Sequence, residues 1–421
     1  MSGKVNHKPQ KLSTLRSFKY PNFTLLFTAN LISNSGTWAQ RVAQDWLVVT
    51  DLHKGGSELG IVTGLQFLPM LLFSLYAGSL ADRFDKRKLL IVTNAGGGIT
   101  AAVLGWLTIS HRVNLTEVFI LAFMLGMFGA LDTPVRQAFT SELVGKSDIA
   151  NAVSLNSANF NIGRLIGPAI SGLLISAFNT GPSFLFNAGS FLFVIVALFL
   201  MNPTKLNRNA AENKPRKVAE GLRYIKGRPD LIAVITTVFF ASTFGLNFQI
   251  FNALVSTKVF HKSAGAFGAL GSFLAIGSLL AAVIATKLDQ KRKPLFVMYC
   301  AGIFGISLVI QASMPTYFSF ALFLPVSGFI ALTTMIAANT YTQTTTPPEL
   351  RGRVMGFYVL VFLGATPVGS PFIGWLSDTL GIRQTVAICG LITTFGALAV
   401  YFIMRKKLFN TSNNDERKNS H

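Results

Sequence analysis

Long uninterrupted apolar runs, parted by short polar and basic stretches, set the pattern of this chain. Twelve such runs stand out, at 23–49, 59–80, 89–110, 116–139, 150–177, 182–202, 231–257, 264–286, 295–314, 317–344, 354–378 and 383–404. A helix of about 20 residues crosses the roughly 30 Å hydrocarbon layer of a bilayer, and each run is of that order. The runs are continuous rather than alternating in ten-residue pieces, so helices are predicted in place of barrel strands. The expected fold is all-α and integral to the membrane, with twelve transmembrane helices. The opening MSGKVNHKPQKLSTLRSFKY is polar and basic. It has no short apolar stretch before a small-residue cleavage site, so the first span is expected to do its own targeting.

The longest polar stretch, Asn202 to Asp230, divides the spans six and six. The expected organisation is a tail at 1–22, a six-helix half at 23–202, a linker at 203–230, a second half at 231–404 and a tail at 405–421. Val218, Leu222 and Ile225 share one helical face, so the linker holds either an amphipathic helix on the membrane surface or a solvated helical connector. The halves repeat weakly. Gly36 and Gln40 match Gly245 and Gln249 at an offset of 209, Asp82 matches Asp289 at 207, and Gly167 and Gly172 match Gly369 and Gly374 at 202. Pseudo-symmetric six-helix halves are built by many secondary transporters, which rock about a site near the bilayer midplane.

Composition changes the picture in one respect. Among 421 residues the net charge is +20, which by itself suggests a nucleic-acid partner. Yet only 13% of residues are charged and 51% are apolar, so the soluble basic face such a partner needs is missing. Two cysteines exclude a disulfide scaffold. Sorting the 37 Lys and Arg residues by alternating loops puts 30 on the side of both termini, 5 on the other, and Arg41 and Arg164 inside spans. By the positive-inside rule both termini are expected in the cytoplasm of a multi-pass cell-membrane (inner or plasma membrane) protein.

Two stretches carry a resemblance. Gly78-Ser-Leu-Ala-Asp82-Arg83-Phe-Asp85-Lys86-Arg87-Lys88 resembles the signature loop of the major facilitator superfamily, G-x-L-a-D-r-x-G-r-k, and departs from it at Asp85. Gly163-Arg-Leu-Ile-Gly167-Pro168-Ala-Ile-Ser171-Gly172 resembles the G-x-x-x-G-P-x-x-G-G motif of that superfamily's drug:proton antiporters and departs at Ser171. Residues 40–50 and 131–168 look like the enterobactin-exporter and macrolide-efflux branch. The resemblance implies the two-half fold and a gate centred on Asp82, with Gly78, Arg83, Arg87 and the repeat partner Asp289 in support. Physically, Asp82 can receive a helix N-terminus or an arginine; the competing reading is a solvated turn whose charges only set topology. Gly163, Gly167, Pro168 and Gly172 are expected to thin and kink one helix face for close packing.

Ionisable groups inside spans are costly and therefore functional suspects. Span 1 carries Arg41 and Asp45 four residues apart, with Asn30, Asn34, Thr37 and Gln44 on one polar stripe; span 7 has Ile250 and Leu254 at the matching positions. Ser157, Asn161 and Arg164 make a second stripe on span 5, and span 4 ends with Asp132 and Arg136. Within the superfamily such stripes on spans 1, 4, 5 and 7 line a central cavity, for which Asn34, Trp38, Gln44, Asn161, Arg164, Asn247 and Gln249 are the candidates. Asp45, with Arg41, is the expected proton-coupling site and Asp132 the second. Two rival readings stand beside it, Arg41 with Asp45 as a self-neutralising pair and Asp132 as a partner of Arg136. No metal or cofactor is expected, and no G-x-x-x-x-G-K-[ST] occurs. The expected protein is not an enzyme but a monomeric secondary transporter that exports a small amphipathic molecule of drug, macrolide or siderophore type by proton antiport. Its partners would be that substrate, protons and membrane lipids, not nucleic acid. The alternatives are a proton-coupled importer on the same fold and, from another class, an intramembrane enzyme or a transport-dead sensor.

Overall fold

In a computed structural model the chain is helical almost throughout. The structure describes residues 15–207, 218–285 and 293–418, excepting the side chains at 74, 75, 77–82, 218, 219 and 406–418. The first half comprises α1 (Pro21–Trp46), α2 (Gly56–Arg83), α3 (Lys86–Ile109), α4 (Leu115–Leu143), α5 (Ile149–Phe178) and α6 (Gly181–Leu200). A short α7 (Val218–Lys226) precedes the second half. There the seventh span is broken into α8 (Pro229–Phe240) and α9 (Phe248–Leu254), followed by α10 (Ala264–Ala285), α11 (Pro294–Ser313), α12 (Tyr317–Thr345), α13 (Pro348–Leu380) and α14 (Ile382–Lys418). Among the described residues, eleven helical segments are long and apolar enough to cross a membrane. The remaining one, α1, is long enough but carries Asn30, Ser33, Asn34, Gln40, Arg41, Gln44 and Asp45. Those polar residues keep it less apolar than the other spans.

Packing makes the repeat explicit. In the first half α1 lies on α5 and α6, α2 on α4, and α3 on α4 and α6. The second half repeats each pairing: α8 meets α13 and α14, α10 meets α12, and α11 meets α12 and α14. Between halves, α2 packs on α13 and α5 on α10, and α1 touches α9. Lipid does not reward helix association hydrophobically, so such joints depend on close approach. A Cβ on Gly60 of α2 would lie 2.3 Å from the Ser370 carbonyl oxygen, and one on Gly374 of α13 would lie 2.1 Å from that of Gly56. On the α5–α10 joint, Gly172 faces the backbone of Ala264 and Gly265, and Gly268 faces Pro168. All of these meet at the end of the bundle that holds residues 52–56 and 380–382. At that end the halves are shut.

Local sequence explains several boundaries. Asp85, the departure from the signature loop, is the N-cap of α3 and accepts from the Lys88 amide at 3.0 Å. Asn114 and Glu117 form a capping box at the start of α4. The linker helix α7 does form, and it docks on α13: Ile225 is buried, and Arg353 and Glu220 pair at 2.6 Å.

Candidate functional site

Three consecutive turns of α1 present Trp38, Arg41 and the pair Gln44 and Asp45. Gly163 and Gly167 of α5 let α1 come close, since a Cβ at either would strike Asn34 or Trp38. An i, i+4 Arg–Asp pair on a helix is within reach of a salt bridge. Here Arg41 turns elsewhere: its guanidinium lies over the Trp38 ring at 4.6 Å and the Phe67 ring of α2 at 5.0 Å. Asp45 is 1% exposed and has no ion-pair partner among the described residues.

Opposite Asp45 the seventh span loses its regular hydrogen bonding. After α8 the turn widens at Ala241–Gly245, where the Leu246 amide donates to the Ala241 carbonyl five residues back. A second wide turn, Val255–Val259, follows α9. Wide turns of this kind recur at functional sites. Asn247 of this stretch is buried and donates to the Thr243 carbonyl. Gln249 sits beside Asp45, but among the described residues no donor meets either carboxylate oxygen with hydrogen-bond geometry.

The result is a cluster of buried polar atoms without partners. Among the described residues, nine of eleven such side-chain atoms belong to span 1 or span 7: Arg41 Nε, both polar atoms of Gln44, both oxygens of Asp45, Thr243 Oγ1, Gln249 Nε2, Asn252 Oδ1 and Ser256 Oγ. Gln66 of α2 adds another. Each unsatisfied group costs about 1–3 kcal/mol. Native structures keep few of them, so their grouping on spans 1 and 7 marks this stretch as a candidate site.

The other predicted positions divide. Arg164 is half-buried near the middle of α5 and has no carboxylate within ion-pair distance among the described residues. Asn34 donates to Asn159 at 2.9 Å, and Asn161 donates to its own helix at the Ser157 carbonyl. Asp132 is in a closed network. It pairs with Arg136 at 2.6 Å and accepts from Thr93 at 2.9 Å and Asn94 at 2.8 Å, while Arg136 also donates to Asn30. Gly163, Gly167, Pro168 and Gly172 all lie at helix joints, the first two on α1 and the last two on α10. Of the gate residues, Gly78 and Asp82 fall in α2 but their side-chain surroundings are outside the described residues, as is Asp289 altogether. Arg83 is exposed. Arg87 donates to the carbonyls of Leu198 and Phe199 and so caps α6.

One residue at the shut end was not among the sequence candidates. Asp378, near the C-terminus of α13, accepts from the Gly56 amide at 2.8 Å, the Ser57 amide at 2.7 Å and the Ser57 hydroxyl at 2.7 Å, and pairs with Lys258 at 3.2 Å. It caps the N-terminus of α2 across the two halves. A signal existed: Gly374-Trp-Leu-Ser-Asp378 repeats the G-x-L-x-D spacing of Gly78-Ser-Leu-Ala-Asp82.

Against known proteins, residues 12–421 match the family model described as transmembrane secretion effector. The chain is 28% identical to the staphyloferrin A transporter of Staphylococcus aureus, over 90% of this chain and 96% of that one. It is 25% identical to the multidrug efflux pump Tap of Mycolicibacterium fortuitum, covering 92% and 97%, and 24% identical to the enterobactin exporter EntS of Shigella flexneri, covering 92% of each. Among solved structures, a bacterial homologue of the human lysosomal transporter Spinster superposes with a TM-score of 0.75 at 14% identity, over 93% of this chain and 98% of that one. With twelve helical spans in two matched halves among the described residues and a family match over residues 12–421, the chain belongs to the transmembrane secretion effector family of major facilitator transporters.

Proposed function

We propose that this protein exports a small amphipathic molecule of drug or siderophore type from the cytoplasm in exchange for protons, working by alternating access. The observation that carries the reading is the partnerless polar cluster around Asp45, beneath the shut end of the bundle. A carboxyl group buried inside a span, with no hydrogen-bond partner among the described residues, is placed to exchange a proton when the site opens to a different environment. Arg41 rests on aromatic rings and makes no salt bridge with Asp45 among the described residues, so the two are free to separate during a transport cycle. The relatives named above supply the cargo types and support outward transport.

On this reading the arginine- and lysine-rich side faces the cytoplasm, the protein sits in the cell membrane as a monomer, and the shut end is the outer one. Asp378 then latches the outer gate, and Asp82, with the same motif at the other end of the partner helix, is its cytoplasmic counterpart. Asp132 acts within the Arg136 network instead of carrying protons.

Everted membrane vesicles energised by a proton gradient, and loaded in turn with a panel of dyes, macrolides and siderophores, test the proposal. Wild type is expected to accumulate at least one of them, and Asp45→Asn to reach the membrane but lose gradient-driven accumulation. Undiminished accumulation by Asp45→Asn would remove the proton role. Uptake that runs only in the opposite orientation would replace export with import.

A further inference from the structure

We infer that the cargo is a small organic polyanion, with at least two oxyanion groups held between Arg41 and Arg164; this rests on the transporter reading above. Most basic side chains at the spans have a protein acceptor. Arg136 pairs with Asp132, Arg228 with Asp230 at 2.6 Å, and Arg383 donates to the Ala312 and Met314 carbonyls. Arg41 and Arg164 differ. Neither has a carboxylate or a carbonyl acceptor among the described residues, and the Nε of Arg41 is buried with no hydrogen-bond partner among them.

The two share one neighbourhood. Arg41 lies over Trp38, the Trp38 ring meets Phe160 of α5 edge-on at 5.7 Å, and Arg164 follows Phe160 by one helical turn on the same face. The close joint of α1 and α5 at Gly163 and Gly167 fixes that spacing. Aromatic faces steady a guanidinium without neutralising it, so the charge remains for a ligand. An unneutralised cation inside a membrane protein is expensive, and two of them flanking one aromatic pair are best answered by a ligand of opposite charge. Guanidinium groups recognise carboxylate and phosphate by paired N–H···O bonds, which a protonated or cationic drug cannot accept. The partnerless amides of Gln44 and Gln249 add neutral donors and acceptors for hydroxyl or carbonyl groups on the same ligand. Direction also fits. An inside-negative membrane potential favours expelling an anion by about 2.3 kcal/mol per charge per 100 mV.

The test is calorimetric titration of the purified full-length protein in lipid nanodiscs with tricarballylate, with fructose 1,6-bisphosphate and with the cationic dye ethidium. Wild type is expected to bind one of the two anions, and which one it prefers tells a carboxylate cargo from a phosphate one. Arg41→Gln and Arg164→Gln should each weaken that binding about tenfold or more. Arg164→Lys keeps the charge but loses the fork, so it should fall between, and it serves if a Gln variant fails to fold. The inference is overturned if neither anion binds, or if every arginine variant binds like wild type. Exchange of ethidium by wild-type proteoliposomes, without anion binding, would sink this inference and leave the transporter reading standing. Anion binding with no exchange of any cargo would do the reverse.

Discussion

Replacing Asp378 should unlatch the shut end. Its carboxylate takes two first-turn amides of α2 and the Ser57 hydroxyl, all between 2.7 and 2.8 Å, and meets Lys258 at 3.2 Å. Those amides have no acceptor within their own helix, so the capping is the larger part. Loss of such a cap costs about 0.5–2 kcal/mol. The Lys258 pair is exposed and adds at most about 1 kcal/mol. Asp378→Ala should therefore lose about 2 kcal/mol from the state with this end closed, about a thirtyfold shift in its balance with the open state. Asp378→Asn keeps an acceptor oxygen but loses the charge, so about 1 kcal/mol and a fivefold shift are expected. Spin labels at Lys54→Cys and Thr379→Cys, both exposed on either side of the latch, read the distance distribution directly. The population at long distance should grow in the order wild type, Asn, Ala. A distribution in Asp378→Ala that overlays wild type would refute the latch.

Two further perturbations separate packing from chemistry. Gly60→Val places side-chain atoms where even a Cβ would stand 2.3 Å from the Ser370 carbonyl, so the same labels should report a shut end forced apart; Gly129→Ala, with nothing within 4 Å, should change nothing. Arg136→Ala strips Asp132 of its counter-ion and leaves Asn30 and Asn94 short of a donor. It should lower thermal stability by about 2–3 kcal/mol in a melting experiment, whereas a melting curve like wild type's would mean the network carries no structural load.

How much of this was legible beforehand depends on whether the determinant is local. The spans are written in runs of apolar residues, and the two halves in the spacing of Gly36, Gln40, Gly245 and Gln249. The structure adds that the paired glutamines have diverged. Gln40 accepts from Asn187 at 2.6 Å and is locked in the first half, while Gln249 faces Asp45 without a hydrogen-bond partner for its Nε2. Helical spacing groups Arg41, Gln44 and Asp45 with Asn30, Asn34 and Thr37 on one polar stripe of α1. It also made an Arg41–Asp45 pair attractive, and only the positions of Trp38 and Phe67, the latter on another helix, show where the guanidinium goes. The network around Asp132 is invisible from span 4 alone because Thr93 and Asn94, its partners on α3, lie some forty residues away in sequence. Asn252 and Ser256 carry no periodic signal, being single polar residues in an apolar span. Asp378 does not stand out in the sequence because it lies at the end of a span, where polar residues are ordinary.

The central claim is that Asp45 is the carboxyl group that takes up and releases the transported proton, and infrared difference spectroscopy tests it without knowledge of the cargo. Reconstituted wild-type protein, cycled between acidic and alkaline buffer, should give the stretching band of a protonated carboxyl group in an apolar setting, and Asp45→Asn should lack it while keeping its helical amide bands. The same band at the same intensity in Asp45→Asn would place the titrating group elsewhere and contradict the claim.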